Sequence, residues 1–282
     1  MSLAGAEPQA SVAPDLLRSP PPLGARGVPL LSVQDVSVRF GGIVALDGVS
    51  FDVHAGDIVG LIGPNGAGKT TLFNCLSRLY DCERGSIVFD GRSLEGLPRH
   101  RIPELGIGRT FQNLALFRSM SVLQNVLLGG HCRTRGGFLV NALRLPLVAR
   151  EELRLRQQAH QLIDLLDLSA VLARQVADLP FGLQKRVELA RALASQPKLL
   201  LLDEPASGLN HEELEGLMAL IQRVRDGLQV TVLLVEHHMN LVMRISDRVV
   251  ALDFGRKIAE GTPAEVQRNP RVREAYLGTR RG

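Results

Sequence analysis

The segment "GPNGAGKTT" at residues 63–71 is the most informative part of this sequence, because it matches the pattern G-x-x-x-x-G-K-[ST] and directly follows the apolar run "DIVGLI". Its glycines let the backbone wrap closely around phosphate oxygens, so that N–H groups and the start of the following helix offer partial positive charge to an anion. The Lys69 side chain adds a full charge at the β- and γ-phosphates, and the Thr70 hydroxyl can bind Mg²⁺.

A chance glycine-rich turn is the alternative interpretation of this segment. A chain with only four lysines rarely produces the full pattern, and an apolar strand candidate in front of it is the expected context. We therefore predict a nucleotide-binding loop formed by Gly63, Pro64, Asn65, Gly66, Ala67, Gly68, Lys69, Thr70 and Thr71.

The run "KLLLLDEP" at residues 198–205 predicts a second part of the same site. Its apolar part is too short for a helix and is typical of a strand buried in a parallel sheet. The carboxyl end of such a strand would present Asp203 to Mg²⁺ and Glu204, as general base, to an attacking water. An exposed turn after a core strand is the alternative, but a phosphate loop in the same chain favours the catalytic interpretation.

The residues with useful chemistry each follow an apolar strand candidate. Gly63 follows "IVGLI" and Gln112 follows "GIGRTF". Asp203 follows "LLLL", and His237 follows "VTVLLVE". Ligands of open α/β sheets bind at the carboxyl ends of the strands, so we expect these four segments to meet at one phosphate site. For His237 alone, the segment "EHH" could also be a simple helix cap.

Composition divides the chain into regions. Residues 1–29 are rich in Ala, Pro and Ser and predict a disordered extension, because "SPPPLGARGVP" cannot hold a helix or join the interior of a sheet. From Leu31, short β-rich runs alternate with helical segments, which indicates an α/β domain with a parallel central sheet. Residues 121–168 are mainly helical and predict an inserted helical subdomain. Apolar residues recur there at three- and four-residue spacing, which places them on one helix face. They are Leu155, Ala159, Leu162, Ile163 and Leu166.

Length, charge and hydropathy exclude several classes of protein. The chain has 282 residues, is 45% hydrophobic and carries a net charge of +4, which suits one or two globular domains. No apolar run approaches the ~18 residues that would span a bilayer. The amino end lacks the features of a secretory signal, so we expect a cytoplasmic protein without a transmembrane helix.

A local excess of arginine lies between residues 133 and 156 and could attract nucleic acid or lipid headgroups. A solvated helical face is favoured instead, because no aromatic residues interleave to form a stacking platform for bases. We therefore predict no nucleic-acid partner. The basic residues concerned are Arg133, Arg135, Arg144, Arg150, Arg154 and Arg156.

Together these motifs resemble the ATP-binding subunits of ABC transporters over residues 31–278. The resemblance implies a P-loop NTPase core of the α/β class, with a parallel central sheet, an amino-terminal antiparallel β subdomain and an inserted α-helical subdomain at about residues 115–195. It places this ATPase domain at residues 30–278, followed by a basic tail at 279–282.

The same resemblance implies roles for three residues outside the phosphate loop. Phe40, 29 positions before Lys69, would stack on adenine, with packing in the amino-terminal sheet as the alternative. Gln112 would bind Mg²⁺, sense the γ-phosphate and move against the membrane subunit. His237 would contact the γ-phosphate and help to orient water.

The stretch "LPFGLQKR" from residue 179 departs from the signature motif of this family, in which a serine contacts the nucleotide of the opposing protomer. Pro180 replaces that serine while Gly182 is retained, and the resemblance implies that Pro180, Phe181 and Gly182 face the partner's nucleotide. Losing one charge-assisted hydrogen bond costs about 1.5 to 3 kcal/mol, so we interpret the stretch as a working variant. Asn210, which ends "ASGLN" where the family usually has aspartate, is a second departure.

A narrower resemblance comes from "DEPASGLN", "LVEHHMNLVMRISDRVVALDFGRKIAEGTP" and "VQRNPRVREAYLG", which are similar to the ATP-binding subunits of high-affinity branched-chain amino acid importers, in particular to the larger of their two ATPases. Related amide and urea importers share much of this pattern. The resemblance implies ATP and Mg²⁺ as cofactors, a dimer with a second ATPase subunit, identical or not, and separate integral membrane permease subunits. It also implies an indirect link to a periplasmic solute-binding protein and a peripheral location at the cytoplasmic face of the inner membrane.

Two other functions use similar nucleotide motifs. A soluble ABC-type ATPase of an assembly or regulatory complex would have the same motifs, and only its partners would distinguish it. A DNA-repair ATPase of the same superfamily requires a long coiled-coil insertion, and the sequence contains no heptad run of that length.

Overall fold

Two β-sheets form the framework of the chain in this computed structural model, which describes residues 27–110, 114–133 and 146–277. The described strands are β1 (Leu31–Phe40), β2 (Ile43–Val53), β3 (Ile58–Ile62), β4 (Arg84–Phe89), β5 (Arg92–Ser93), β6 (Ile107–Arg109), β7 (Leu199–Asp203), β8 (Thr231–Val235), β9 (Arg248–Asp253) and β10 (Arg256–Gly261). The described α-helices are α1 (Lys69–Leu76), α2 (Ile102–Leu105), α3 (Val122–Gly129), α4 (Pro146–Leu165), α5 (Phe181–Ala194), α6 (His211–Leu228), α7 (Met239–Ile245), α8 (Pro263–Arg268) and α9 (Pro270–Leu277).

The six-stranded sheet has the order β10-β9-β3-β8-β7-β6, and all its pairings are parallel except that of β9 with β10. All five residues in each of β3, β7 and β8 are buried. Their apolar runs are continuous because both faces of the sheet are covered: Leu199 and Leu201 join one core cluster, and Leu200 and Leu202 join the other. The predicted parallel central sheet is confirmed, and the carboxyl ends of its central strands share one edge.

The four-stranded sheet is antiparallel, with the order β2-β1-β4-β5. Leu31 pairs with Val53 of β2 and with Phe89 of β4, and all three side chains are buried. This sheet shares a core cluster with the inner face of α1, where Leu72 and Phe73 are fully buried. The helix that follows the phosphate loop is therefore held between the two sheets.

Between β6 and β7 the described chain is mainly helical. In α4 and the turn after it, Ala159, Leu162, Ile163 and Leu166 are buried and Leu155 is half-buried, which confirms the predicted apolar face. Arg150, Arg154 and Arg156 are exposed on this helix, as expected for a solvated face. The side chains of Arg133, Arg135 and Arg144 lie outside the described residues.

Other predictions also fall on residues outside the described ranges. Of the predicted disordered extension at 1–29, only residues 27–29 are described, and the predicted basic tail at 279–282 is not described. Gln112 also lies outside the described ranges. Among the described residues, no helix has both the length and the apolar character needed to cross a membrane.

Candidate functional site

A cavity of ≈ 700 Å³ opens at the carboxyl edge of the parallel sheet. It is lined by Asn65–Thr71 of the phosphate loop and α1, by Ile43–Ala45 of β2, and by Glu204 and His237. The phosphate loop, Glu204 and His237 come from segments that are far apart in the sequence and follow β3, β7 and β8 respectively. The structure brings these segments together as predicted, because the parallel strands end at the same edge.

The phosphate loop depends on glycine where the backbone turns into α1. Gly68 has φ +98°, and a Cβ atom there would lie 2.6 Å from the carbonyl oxygen of Ala45. A larger residue would therefore be both strained and blocked by backbone. Since α1 begins at Lys69, its first N–H groups lie beside the cavity, as required for binding an anion.

The Lys69 ammonium group lies over the phosphate loop. Its Nζ donates hydrogen bonds to the carbonyl oxygens of Gly63, at 2.7 Å, and Pro64, at 2.9 Å. Burial lowers the pKa of Lys69, and the nearby carboxylates of Glu204 and Asp203 oppose that shift. The side chain thus brings a cation to a cavity whose lining also includes the acidic residue Glu204.

Asp203 is held by a buried ion pair. Its Oδ2 accepts a hydrogen bond from Nη2 of Arg109 at 2.8 Å, and the two side chains are only 5% and 9% exposed. Arg109 also donates to Oδ1 of Asn74 and to Oγ of Ser77 in and next to α1, each at 2.9 Å. No role for Arg109 is predicted from the sequence, although a basic residue at the carboxyl end of a strand, in "GIGRTF", is a signal for one.

The predicted magnesium ligands in the described chain are of the chemical kind that Mg²⁺ binds. Mg²⁺ prefers oxygen ligands, and both predicted ligands in the described chain, Thr70 and Asp203, offer oxygen. Thr70 is exposed and lines the cavity. Arg109 occupies Oδ2 of Asp203, and no hydrogen bond to Oδ1 is present within the described residues. One carboxylate oxygen therefore has no protein partner in that part of the chain.

Glu204 has a backbone conformation that is uncommon for a residue with a side chain. Its φ is +47°, a conformation that costs about 1–3 kcal/mol outside glycine and is frequent at functional sites. The Glu204 N–H donates to the carbonyl oxygen of Val235 in β8 at 2.9 Å. Its Oε2 lies 4.0 Å from Nδ1 of His237, so the two predicted catalytic side chains face each other.

Glu236 is a further acidic residue of this region, and no role for it is predicted from the sequence. Its side chain is 0% exposed, and Oε1 accepts a hydrogen bond from the N–H of Ala206 at 2.7 Å. The signal in the sequence is a glutamate directly after the apolar run "VTVLLV". Such a residue continues a buried strand and must find hydrogen-bond donors in the interior.

The sequence matches the ABC transporter family over residues 46–207, a range that contains the phosphate loop, Asp203 and Glu204. The chain belongs to the ABC transporter family. A second family, described as branched-chain amino acid ATP-binding cassette transporter, matches residues 256–281. The resemblance recognised in the sequence is therefore confirmed.

Curated relatives match this ABC transporter chain over nearly their whole length. The high-affinity branched-chain amino acid transport ATP-binding protein BraF of Pseudomonas aeruginosa is 42% identical over 250 residues, which cover 89% of this chain and 98% of BraF. The high-affinity branched-chain amino acid transport ATP-binding protein LivG of Salmonella typhimurium is 43% identical over 250 residues, which cover 89% of this chain and 98% of LivG.

Solved structures confirm the predicted ABC ATPase fold. The ADP conformation of an ATP-binding cassette of an ABC transporter matches with a TM-score of 0.77 and 30% identity, over 89% of this chain and 100% of that one. A dimeric post-hydrolysis state of another ATP-binding cassette, bound to ADP and Pi, matches with a TM-score of 0.68 and 26% identity, over 83% and 98% of the two chains.

The signature segment of this ABC ATPase lies apart from the phosphate cavity. Pro180 is the N-cap of α5, and none of Pro180, Phe181 and Gly182 lines the cavity. A Cβ atom on Gly182 would lie 2.6 Å from Oε1 of Glu213, and one on Gly208 would lie 2.9 Å from the ring of Phe181. The segment therefore packs on the chain around "ASGLN", not on its own phosphate loop.

Asn210 caps the helix that follows "ASGLN". Its Oδ1 accepts from the N–H of Glu213 at 2.9 Å, while Oε2 of Glu213 accepts from the N–H of Asn210 at 3.0 Å. Asparagine and aspartate are comparable as N-cap residues, so this departure from the family pattern preserves the start of α6.

Phe40 lies at the end of β1, next to the cavity-lining segment of β2 but not among the residues that line the cavity. The residue is 44% exposed, and its ring packs edge-on against Tyr80, with the ring centroids 5.0 Å apart. Ile43 and Val44 line that side of the cavity instead. The predicted role of Phe40 in adenine stacking stays a prediction.

The carboxyl-terminal helix reaches the phosphate loop. The N–H of Gly63 donates to the hydroxyl oxygen of Tyr276 in α9 at 2.7 Å, and burial raises the pKa of that hydroxyl. Gly63 is thus held on both sides, because its carbonyl oxygen accepts from Lys69. No role for Tyr276 is predicted from the sequence, although the residue lies in the segment that matches the branched-chain family.

Proposed function

We propose that this chain is the ATP-binding and ATP-hydrolysing subunit of an ABC importer, and that it powers uptake of branched-chain amino acids or related small polar substrates through separate permease subunits. The observation that carries the proposal is the meeting of the phosphate loop, Glu204 and His237 at one cavity. The substrate class is supported by the names of the 42% and 43% identical relatives and by the family that matches residues 256–281.

We propose that the phosphate loop binds ATP through backbone N–H groups and Lys69. The ammonium group of Lys69 would exchange its two carbonyl acceptors in the loop for oxygens of the β- and γ-phosphates. Mg²⁺, held by Thr70, Asp203 and Gln112, would supply positive charge between these phosphates. Arg109 would keep the carboxylate of Asp203 in place for that ion.

Hydrolysis follows from the position of Glu204. Its carboxylate accepts a proton from water while the water oxygen bonds to the γ-phosphorus and the bond from that phosphorus to the β–γ bridging oxygen breaks, which yields ADP and Pi. His237, whose Nδ1 lies 4.0 Å from Glu204, would contact the γ-phosphate and orient the water. Phe40 would stack on the adenine ring.

We further propose that Pro180, Phe181 and Gly182 contact the nucleotide of a second ATPase subunit. These residues lie away from their own cavity, and α5 has no side-chain cap, which leaves its first N–H groups available to an anion. A dimeric state of a related cassette with ADP and Pi is consistent with this arrangement. Hydrolysis would remove the γ-phosphate from between the subunits and let them separate.

The proposed partners are integral membrane permease subunits and, indirectly, a periplasmic solute-binding protein. The chain would then be peripheral at the cytoplasmic face of the inner membrane. Purification from membranes tests this: integral membrane proteins should copurify with the chain. Elution with soluble partners alone would favour an assembly or regulatory ATPase instead.

Light scattering of purified Glu204→Gln with and without Mg·ATP tests the composite site, with nucleotide binding measured in the same sample. We expect a dimer with ATP and a monomer without it, because the variant binds but does not hydrolyse the nucleotide. Glu265→Gln is the matched control, since Glu265 caps α8 away from the cavity and its variant should hydrolyse ATP normally. Binding without dimerisation would show that identical chains do not complete the site.

A further inference from the structure

A buried carboxylate links the loops that follow β7 and β8. Oε1 of Glu236 accepts from the N–H of Ala206, at 2.7 Å, in the loop after β7. Oε2 accepts from the N–H groups of His237 and His238, at 3.1 and 3.3 Å, in the loop after β8. The two oxygens of one side chain therefore hold different loops.

The carboxyl group of Glu236 is held by these hydrogen bonds, and not by an arginine or lysine of the described chain. Within the described part of the chain, no Lys or Arg nitrogen lies within 4.0 Å of its carboxylate, and the basic groups in that range are the imidazoles of His237 and His238. A carboxylate without solvent contact is costly unless several donors satisfy it. An apolar residue would fill the same volume without that desolvation cost. We therefore infer that the function of Glu236 is to connect the two loops.

Both loops carry groups that act in the proposed reaction. Glu204 precedes Ala206 by two residues, and His237 follows Glu236 directly. The loop after β7 continues to Gly208, which is packed against the ring of Phe181 in the signature segment. A continuous set of contacts thus runs from His237 through Glu236 and the loop after β7 to the segment proposed to face the partner.

We propose that Glu236 is a positioning residue that fixes His237 relative to Glu204 and ties both to residues 206–210. This inference rests on the proposed function, because it requires that Glu204 and His237 act on ATP. Glu236 touches neither nucleotide nor water in this role, and it acts through the two loops. Its loss should therefore lower turnover and leave nucleotide binding nearly unchanged.

The test compares Glu236→Gln with Glu265→Gln in the full-length chain, by steady-state ATPase kinetics, equilibrium binding of Mg·ADP and thermal unfolding. Glutamine keeps the size of the side chain but offers one acceptor oxygen, so that one of the two loops meets an N–H₂ group. We expect kcat to fall by about tenfold or more with the Kd for ADP changed by less than about threefold, while Glu265→Gln leaves both unchanged. A kcat for Glu236→Gln within about twofold of the parent would overturn the proposal.

A double-mutant cycle with His237→Ala distinguishes positioning from general destabilisation. If Glu236 acts through His237, Glu236→Gln should lower single-turnover hydrolysis by less than about twofold in the His237→Ala background. An equal loss in both backgrounds would refute the inference. Parental turnover in His237→Ala itself would contradict the proposed function instead, so the two failures are distinguishable.

A second variant keeps the test decisive if Glu236→Gln unfolds. Glu236→Asp keeps the charge, but its shorter side chain cannot reach both Ala206 and the N–H groups of the histidines. We expect it to fold and to have a kcat lower than that of the parent by about threefold or more. Full kcat in Glu236→Asp would overturn the proposal.

Discussion

The phosphate cavity and the signature segment differ in how completely a single chain builds them. At the cavity, Lys69, Glu204 and His237 face one space, and Arg109 orders Asp203 beside it. At the signature segment, Phe181 packs against Gly208 and Gly182 against Glu213, and neither residue lines the phosphate cavity. The comparison supports our proposal that the catalytic groups come from one chain and that a second subunit closes the site. Variants at the cavity should therefore act in the isolated chain, and variants at the signature only in the dimer.

The largest effect is expected from Glu204→Gln on turnover. A general base contributes about 10²- to 10⁴-fold to rate, and the amide cannot accept the proton from water. Steady-state ATPase assays should show a loss in this range, with ADP binding unchanged. Turnover close to that of the parent would exclude Glu204 as the base. It would also contradict the proposal that the cavity of a single chain contains the catalytic groups.

Lys69→Ala should weaken nucleotide binding by about 10²-fold, because a buried ammonium group at the phosphates contributes about 1.5–3 kcal/mol through charged hydrogen bonds. Equilibrium dialysis with Mg·ATP measures this effect. Lys198→Ala is the control, since Lys198 pairs with Asp90 on the surface. Equal affinities of the two variants would contradict the proposed role of Lys69.

Arg109→Met tests the buried ion pair that holds Asp203 next to the cavity. Removing one partner of a buried ion pair leaves the other charge without compensation, which costs about 3–5 kcal/mol. Urea unfolding should show this loss, and Arg150→Met, at an exposed position, should change the free energy of unfolding by less than about 0.5 kcal/mol. Unchanged stability of Arg109→Met would mean that Asp203 does not depend on this pair.

Pro180→Ser should have the smallest effect of these variants. It should change dimerisation through the signature segment without changing nucleotide binding at the phosphate cavity. Serine supplies a side-chain cap that α5 lacks, worth about 1 kcal/mol, and restores a donor toward the partner's nucleotide, worth about 1.5 to 3 kcal/mol. Combined with Glu204→Gln, it should tighten ATP-dependent dimerisation by about tenfold in light scattering, with monomer binding of ADP unchanged. A change in ADP binding by the monomer would show that the segment acts on its own cavity.

Most of the fold was accessible from local sequence pattern. Continuous apolar runs predict β3, β7 and β8 as buried parallel strands, and the phosphate loop is a contiguous motif whose glycines report the turn that the backbone must make. Because parallel strands end at one edge, the meeting of Gly63, Glu204 and His237 could also be predicted.

The sequence by itself thus determined the fold class, the phosphate loop and the meeting of Glu204 and His237 with that loop, because each depends on neighbouring residues and on strand direction. Only the tertiary structure decided what holds them in place. Arg109 is 94 residues from Asp203, Ala206 is 30 residues from Glu236, and Gly63 is 213 residues from Tyr276. Such pairs have no local periodicity, since the burial that forces polar groups to find partners arises only when the sheets and helices pack together.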